Sequence, residues 1–182
     1  FAKAAASVAG KGDMVWVHDY HMHLVPAMLR AMRPDLRIGF FLHIPFPPPD
    51  VFFALPVYAT ILEGLADYDV VGFQTRHDAD NFAASIEREG IGRLEERDTI
   101  ETRGGGRVKA GVFPIGIDTG GFEKMAAEAV VNPAVRKIAN SLQDRDVVVG
   151  VDRLDYSKGL PQRMQAFERF LRDNPAYKGR AT

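Results

Sequence analysis

The chain has 182 residues, enough for one domain with a core or for parts of two, and its 23 basic and 24 acidic side chains leave a formal charge of −1. That balance excludes a global field that would gather nucleic acid or anionic lipid, so a charged ligand must be met locally. The absence of cysteine excludes disulfides, thiolate nucleophiles and cysteine metal sites, and is compatible with a cytoplasmic protein; no apolar run approaches the ~20 residues of a membrane span.

Phe1 to Val8 reads as the last turns of a helix, with Gly10 beyond its end. Met14 to Val17 is a short apolar strand that exits into His18, Asp19, Tyr20 and His21. Leu24, Val25, Met28, Leu29 and Met32 recur at helical spacing, with Pro26 tolerated in a first turn. Ile38 to Leu42 is a second strand, apolar on both faces and ending at His43. The HIPFPPPD stretch after it is expected to be a rigid loop, neither helix nor central strand, because its prolines fix φ and remove donors.

Leu55 to Leu65 predicts a helix, Val70 to Phe73 a third strand, and Ala79 to Ile86 a helix capped by Thr75 or Asp78 and ended by Gly90. Gly92 to Arg107 is charged and carries three consecutive glycines. It is expected to be a mobile connection or a loose hairpin with Val108 to Val112. The glycines are not a phosphate loop, since no Lys-Ser/Thr pair opening a helix follows them. After VFPIGID come two helices, one with Phe122 and Met125 and one with Val135 and Ile138. Val147 to Val151 reads as a strand buried on both faces, followed by a charged turn and a helix from Leu160. Strand and helix alternate through most of the chain, which implies α/β structure with parallel, doubly wound sheets. The two ends suggest an internal fragment. A domain boundary is expected near Gln143 to Asp146, dividing 1–144 from 145–182.

Three strand exits carry polar groups: HDYH, His43 with its proline loop, and Asp152 to Lys158. Ligands of open α/β sheets bind at such exits. Arg153 and Lys158, before a helix start, suit an anionic ligand; alternatively Asp152 and Asp155 pair with them in a solvated turn. Asp19 suits a sugar hydroxyl, or caps the following helix. His18, His21 and His23 are close in sequence, but their side chains should diverge, so no metal site is expected.

Read together, HDYHMHLVP, IGFFLHIPFPPPDVF, DYDVVGFQT, VFPIGID and VDRLDYSKGLPQR closely resemble the trehalose-6-phosphate synthases. The resemblance implies a GT-B fold of two Rossmann-like domains, of which 1–144 is the later part of the first and 145–182 the opening of the second. It implies a retaining glucosyltransferase that makes trehalose 6-phosphate and UDP from UDP-glucose and glucose 6-phosphate, with no cofactor and no metal. By the same resemblance Arg153 and Lys158 hold the donor diphosphate and His43 contacts the donor sugar, these three being the catalytic set. Asp19 contacts the glucose 6-phosphate acceptor, and Ile44 lies where anomer selection is attributed. No carboxylate is an evident nucleophile, and the resemblance implies a front-face route in which the leaving phosphate takes the acceptor's proton. Similar enzymes that use glycerol 3-phosphate, or a regulatory sugar-phosphate-binding domain, are the rivals; a homo-oligomer is left open. Family segments near the N-terminus and later in the second domain are absent, so the 182 residues alone are expected to show no transfer.

Overall fold

The computed structural model describes residues 1–142 and 145–182, in two compact units, Phe1–Gly116 and Ile117–Thr182. The boundary expected after residue 144 falls at residues outside the described ones.

In the first unit, helix α1 (Ala2–Val8) precedes strand β1 (Met14–His18), helix α2 (Val25–Met32) and strand β2 (Arg37–Phe41). The proline loop runs into a short helix α3 (Pro49–Phe52), then come α4 (Tyr58–Ala66), β3 (Val70–Phe73) and α5 (Arg76–Glu89). Strands β4 (Gly92–Glu96), β5 (Thr99–Thr102) and β6 (Arg107–Val112) follow. The sheet order is β1-β2-β3-β6-β5-β4, with the first four strands parallel and the last two antiparallel. Leu29, Leu62, Leu65, Phe82 and Ile86 of the helices form one buried cluster with Ile38, Val71 and Val108 of the strands. Thr75 caps α5 by accepting the Asp78 N–H, and Gly90, at φ 71°, ends it in the left-handed region that favours glycine.

The strands are less uniformly covered than their apolar runs suggested. Register places Met14, Trp16 and His18 beside Arg37, Gly39 and Phe41, and next to Val70 and Gly72, on the face opposite the helix-facing cluster. Met14 and Trp16 are exposed. Two other expectations need correction. Pro49 opens a helix rather than extending the proline loop, because a first helical position needs no N–H. The 92–107 stretch is not a mobile connection: β5 makes the antiparallel hairpin with the 108–112 strand that was the alternative, and β4 pairs antiparallel to β5, with Ile100 and Val108 wholly buried as its anchors. Its glycines make the turn, with the Thr102 N–H donating to Gly106 at 2.9 Å.

The second unit holds α6 (Thr119–Ala129), capped by Asp118 through the Gly121 N–H, then α7 (Pro133–Leu142) and α8 (Leu160–Asp173). The expected buried strand at 147–151 is not formed. The segment makes one parallel bridge, Asp146 with Ala181, and one further bond from the Val148 N–H to Thr182 at 2.8 Å. Val147, Val148, Val149 and Val151 are exposed. A β-branched run becomes a buried strand only between neighbours, and the described residues supply only the 180–182 segment.

Candidate active site

The first two strand exits meet as a cluster of rings and one carboxylate. Asp19, directly after β1, has φ 69° and ψ 163°, and among the described residues no other non-glycine has positive φ. Such a backbone persists only where its surroundings fix it, and it marks functional positions. Here the Asp19 N–H donates to the Phe41 carbonyl at 2.9 Å, its carbonyl accepts the Met22 N–H at 3.0 Å, and its carboxylate accepts the Tyr20 N–H at 3.0 Å. Asp19 therefore does act as a cap, heading the helical turn Tyr20–Met22, and its second carboxylate oxygen takes no hydrogen bond among the described residues.

His18 Nδ1 lies 2.9 Å from Nε2 of His43, joining the exits of β1 and β2. Trp16 lies against the His18 ring at 4.5 Å between centroids, and Phe41 meets His43 edge-on at 4.9 Å. The next residue, Ile44, is exposed. Tyr20 and His21 stack on each other at 3.8 Å. His23 turns away to pack edge-on against Phe40, and burial pushes its imidazole down to about 4, against the raising effect of Asp19 and with a small lowering by His21. The three histidines thus diverge. Among the described residues no group of three or more His, Asp or Glu is placed to hold a metal ion.

The loop that carries His43 and Ile44 is fixed from below. Phe46 is buried, stacked on Phe52 and edge-on to Phe73 and Phe82. Its N–H donates to Asp78 Oδ1 at 3.0 Å, and its carbonyl accepts from Asn81 Nδ2 at 3.0 Å. Asp78 Oδ2 also accepts the Thr75 hydroxyl at 2.6 Å. Both backbone groups of Phe46 are therefore held by buried side chains of α5. Sequence reasoning missed this clamp, and missed the histidine pair, because each joins residues more than twenty positions apart. At the exit of β3, Gln74 accepts the Ile115 N–H at 2.9 Å.

Beside this cluster, over the open face of the sheet, lies a recess of about 880 Å3 whose walls include Trp16, His18, Phe41, His43, Gln74 and Phe113. Gly39 and Gly72 are among its lining residues. A Cβ on Gly72 would meet both Phe41 and Phe113, and one on Gly111 would collide with the Phe113 ring, so the two rings keep these places only because those positions carry no side chain.

Arg153 and Lys158 belong to the second unit. Asp155 accepts the Ser157 N–H at 2.8 Å and heads the helical turn Tyr156–Lys158, which Gly159 at φ 62° links to α8. That hydrogen bond, with the nearby Arg153 and Lys158 charges, holds the Asp155 carboxyl below the usual carboxylate range. The pairing considered for this turn differs from the one observed: Asp152 pairs with Arg163 at 2.5 Å, and neither Arg153 nor Lys158 is in an ion pair among the described residues.

The family model of glycosyltransferase family 20 matches residues 1–182. The trehalose-6-phosphate synthase of Sinorhizobium fredii is 49% identical over all of this chain and 39% of its own length. A Burkholderia xenovorans alpha,alpha-trehalose-phosphate synthase (UDP-forming), solved in complex with glucose-6-phosphate, superposes with a TM-score of 0.90 at 36% identity, covering 100% of this chain and 40% of that one. An Escherichia coli structure bound with UDP-2-fluoro glucose gives a TM-score of 0.84 at 36% identity, covering 99% and 40%. The chain thus spans about two fifths of the length of the relatives it matches.

Proposed function

This chain belongs to glycosyltransferase family 20 and has the α/β fold of its GT-B relatives, and from that premise we propose that it is part of a retaining glucosyltransferase moving glucose from UDP-glucose to glucose 6-phosphate. The products are trehalose 6-phosphate and UDP. Residues 1–144 belong on this reading to the N-terminal, acceptor-side domain and 145–182 to the nucleotide-sugar domain. Both substrates are metabolites of the cytoplasm, where the reading puts the enzyme; no helix among the described residues is long and apolar enough to cross a membrane.

The observation that supports the reading is the meeting of two adjacent parallel strand exits, one carrying Asp19 and the other His43, through the His18–His43 and Asp19–Phe41 hydrogen bonds, in a fold that superposes on a synthase solved with glucose-6-phosphate. Asp19 offers a carboxylate oxygen to acceptor hydroxyls, and its strained backbone is held by the β2 exit that also carries His43. His43 contacts the donor sugar, and Ile44 beside it is the anomer-selecting position. Arg153 and Lys158 take the diphosphate: a planar guanidinium matches two phosphate oxygens and the ammonium adds a point charge. Neither gives up an ion pair among the described residues to do so. As the glycosidic bond to UDP breaks, negative charge grows on the leaving phosphate, where those two cations stabilise it, and that phosphate takes the proton from the attacking hydroxyl.

The test is UDP release by the complete protein from UDP-glucose with glucose 6-phosphate, run beside glycerol 3-phosphate. Release with glucose 6-phosphate alone is expected; release with glycerol 3-phosphate alone, or with neither, would refute the reading. Arg153→Ala should lower turnover about a hundredfold, the scale of removing one oriented donor from developing charge.

A further inference from the structure

We propose that His18 is the positioning residue for His43, fixing the ring orientation in which His43 presents Nδ1 to the donor sugar and coupling its tautomer to that of His18; the proposal rests on the glucosyl-transfer reading above. The two imidazoles are joined Nδ1 to Nε2 at 2.9 Å, with ring centroids 5.2 Å apart and planes inclined by 28°. A hydrogen bond between two imidazole nitrogens holds one proton, so the two rings must adopt complementary states. If His18 donates from Nδ1, His43 carries its own proton on Nδ1 and offers a donor there. If His43 donates from Nε2, its Nδ1 is an acceptor. In either case Nε2 is occupied, and Nδ1 is the atom left to meet a hydroxyl. The partner ring therefore decides which face of the hydrogen-bonding code His43 shows.

Position reinforces tautomer. His18 is the last residue of β1 and is paired in register with Phe41, two residues before His43. Trp16 flanks His18 on its own strand, and Phe41 closes on His43 edge-on. His43 itself is exposed and follows the end of β2. Among the described residues, its one side-chain hydrogen bond is the one to His18. Backbone restraint comes from the Phe46 clamp, three residues on, and does not reach the ring. Without His18 the His43 ring is expected to rotate about χ1 and χ2, and a displacement of about 1 Å at a reacting centre costs up to about a hundredfold.

The decisive experiment is a double-mutant cycle in the complete protein. His18→Phe keeps an aromatic ring on Trp16 and removes both nitrogens; it should lower kcat about tenfold, with the KM for glucose 6-phosphate little changed. His18→Asn, whose amide lies about where Nδ1 does, should restore most of the loss. In a His43→Ala background His18→Phe should cost almost nothing more. Equal losses in the two backgrounds, or full activity of His18→Phe, would overturn the proposal. Imidazole 15N shifts of His43 give a readout independent of turnover: they should report one tautomer in the native protein and change on His18→Phe, and unchanged shifts would also overturn it. A native protein that releases no UDP refutes the transfer reading instead, leaving the nitrogen shifts to judge the histidine pair.

Discussion

At the scale of single residues, the HDYHMH segment divides its work by side-chain direction. Asp19 and His18 turn to the strand exits, whereas His23 turns inward with an Nε2 that finds no partner among the described residues. Burial keeps that ring neutral, its folded value near 4 standing below the ordinary 6.5. The unfolded chain therefore binds the extra proton first as pH falls below 6.5, and native stability drops with falling pH until the folded ring also titrates near 4. By pH 5 the loss attributable to His23 is about 2 kcal/mol. His23→Leu should flatten this part of the stability curve, measured by urea unfolding between pH 7 and 5, and an unaltered slope would count against the assignment. The polar character of the exits was legible from the sequence, since apolar runs stop abruptly at His18 and His43. The inward turn of His23 was not, because it depends on the edge contact with Phe40.

At the scale of elements, the α5 clamp on the proline loop explains how a segment with four prolines in five residues keeps one shape. Proline fixes φ but supplies no donors, so the loop's hydrogen bonds have to come from elsewhere, and Asp78 and Asn81 supply them. Asp78→Ala leaves the buried Phe46 N–H without an acceptor and should cost about 1–3 kcal/mol, while Asp78→Asn, which retains an oxygen, should cost less. Denaturant midpoints decide this; equal midpoints for the two variants would show that the bond contributes nothing. The strand and helix order of the first unit could be read because caps such as Thr75 and Gly90 bracket runs of clear period. The hairpin of β4 and β5 could not, since charged residues surround the buried Ile100 and hide its alternation. The run at Val147 to Val151 has the composition of a strand, but composition says nothing about what would lie beside it.

For the molecule as a whole, the first unit is a sheet with one helix-covered face and one open face lined by Trp16, Phe41, Phe113 and two glycines, Gly39 and Gly72. Trp16 stands on that second face, about two thirds exposed, and it is the chain's one tryptophan. The indole is therefore a built-in optical gauge of whether the face is covered. The 182 residues produced alone should emit at the long wavelengths of hydrated indole and be quenched readily by acrylamide. Any partner segment that covers the face should shift emission to the blue and suppress quenching, without a label or a second chromophore to separate. Blue, quencher-resistant emission from a monomer of the isolated chain would show that the face is already closed.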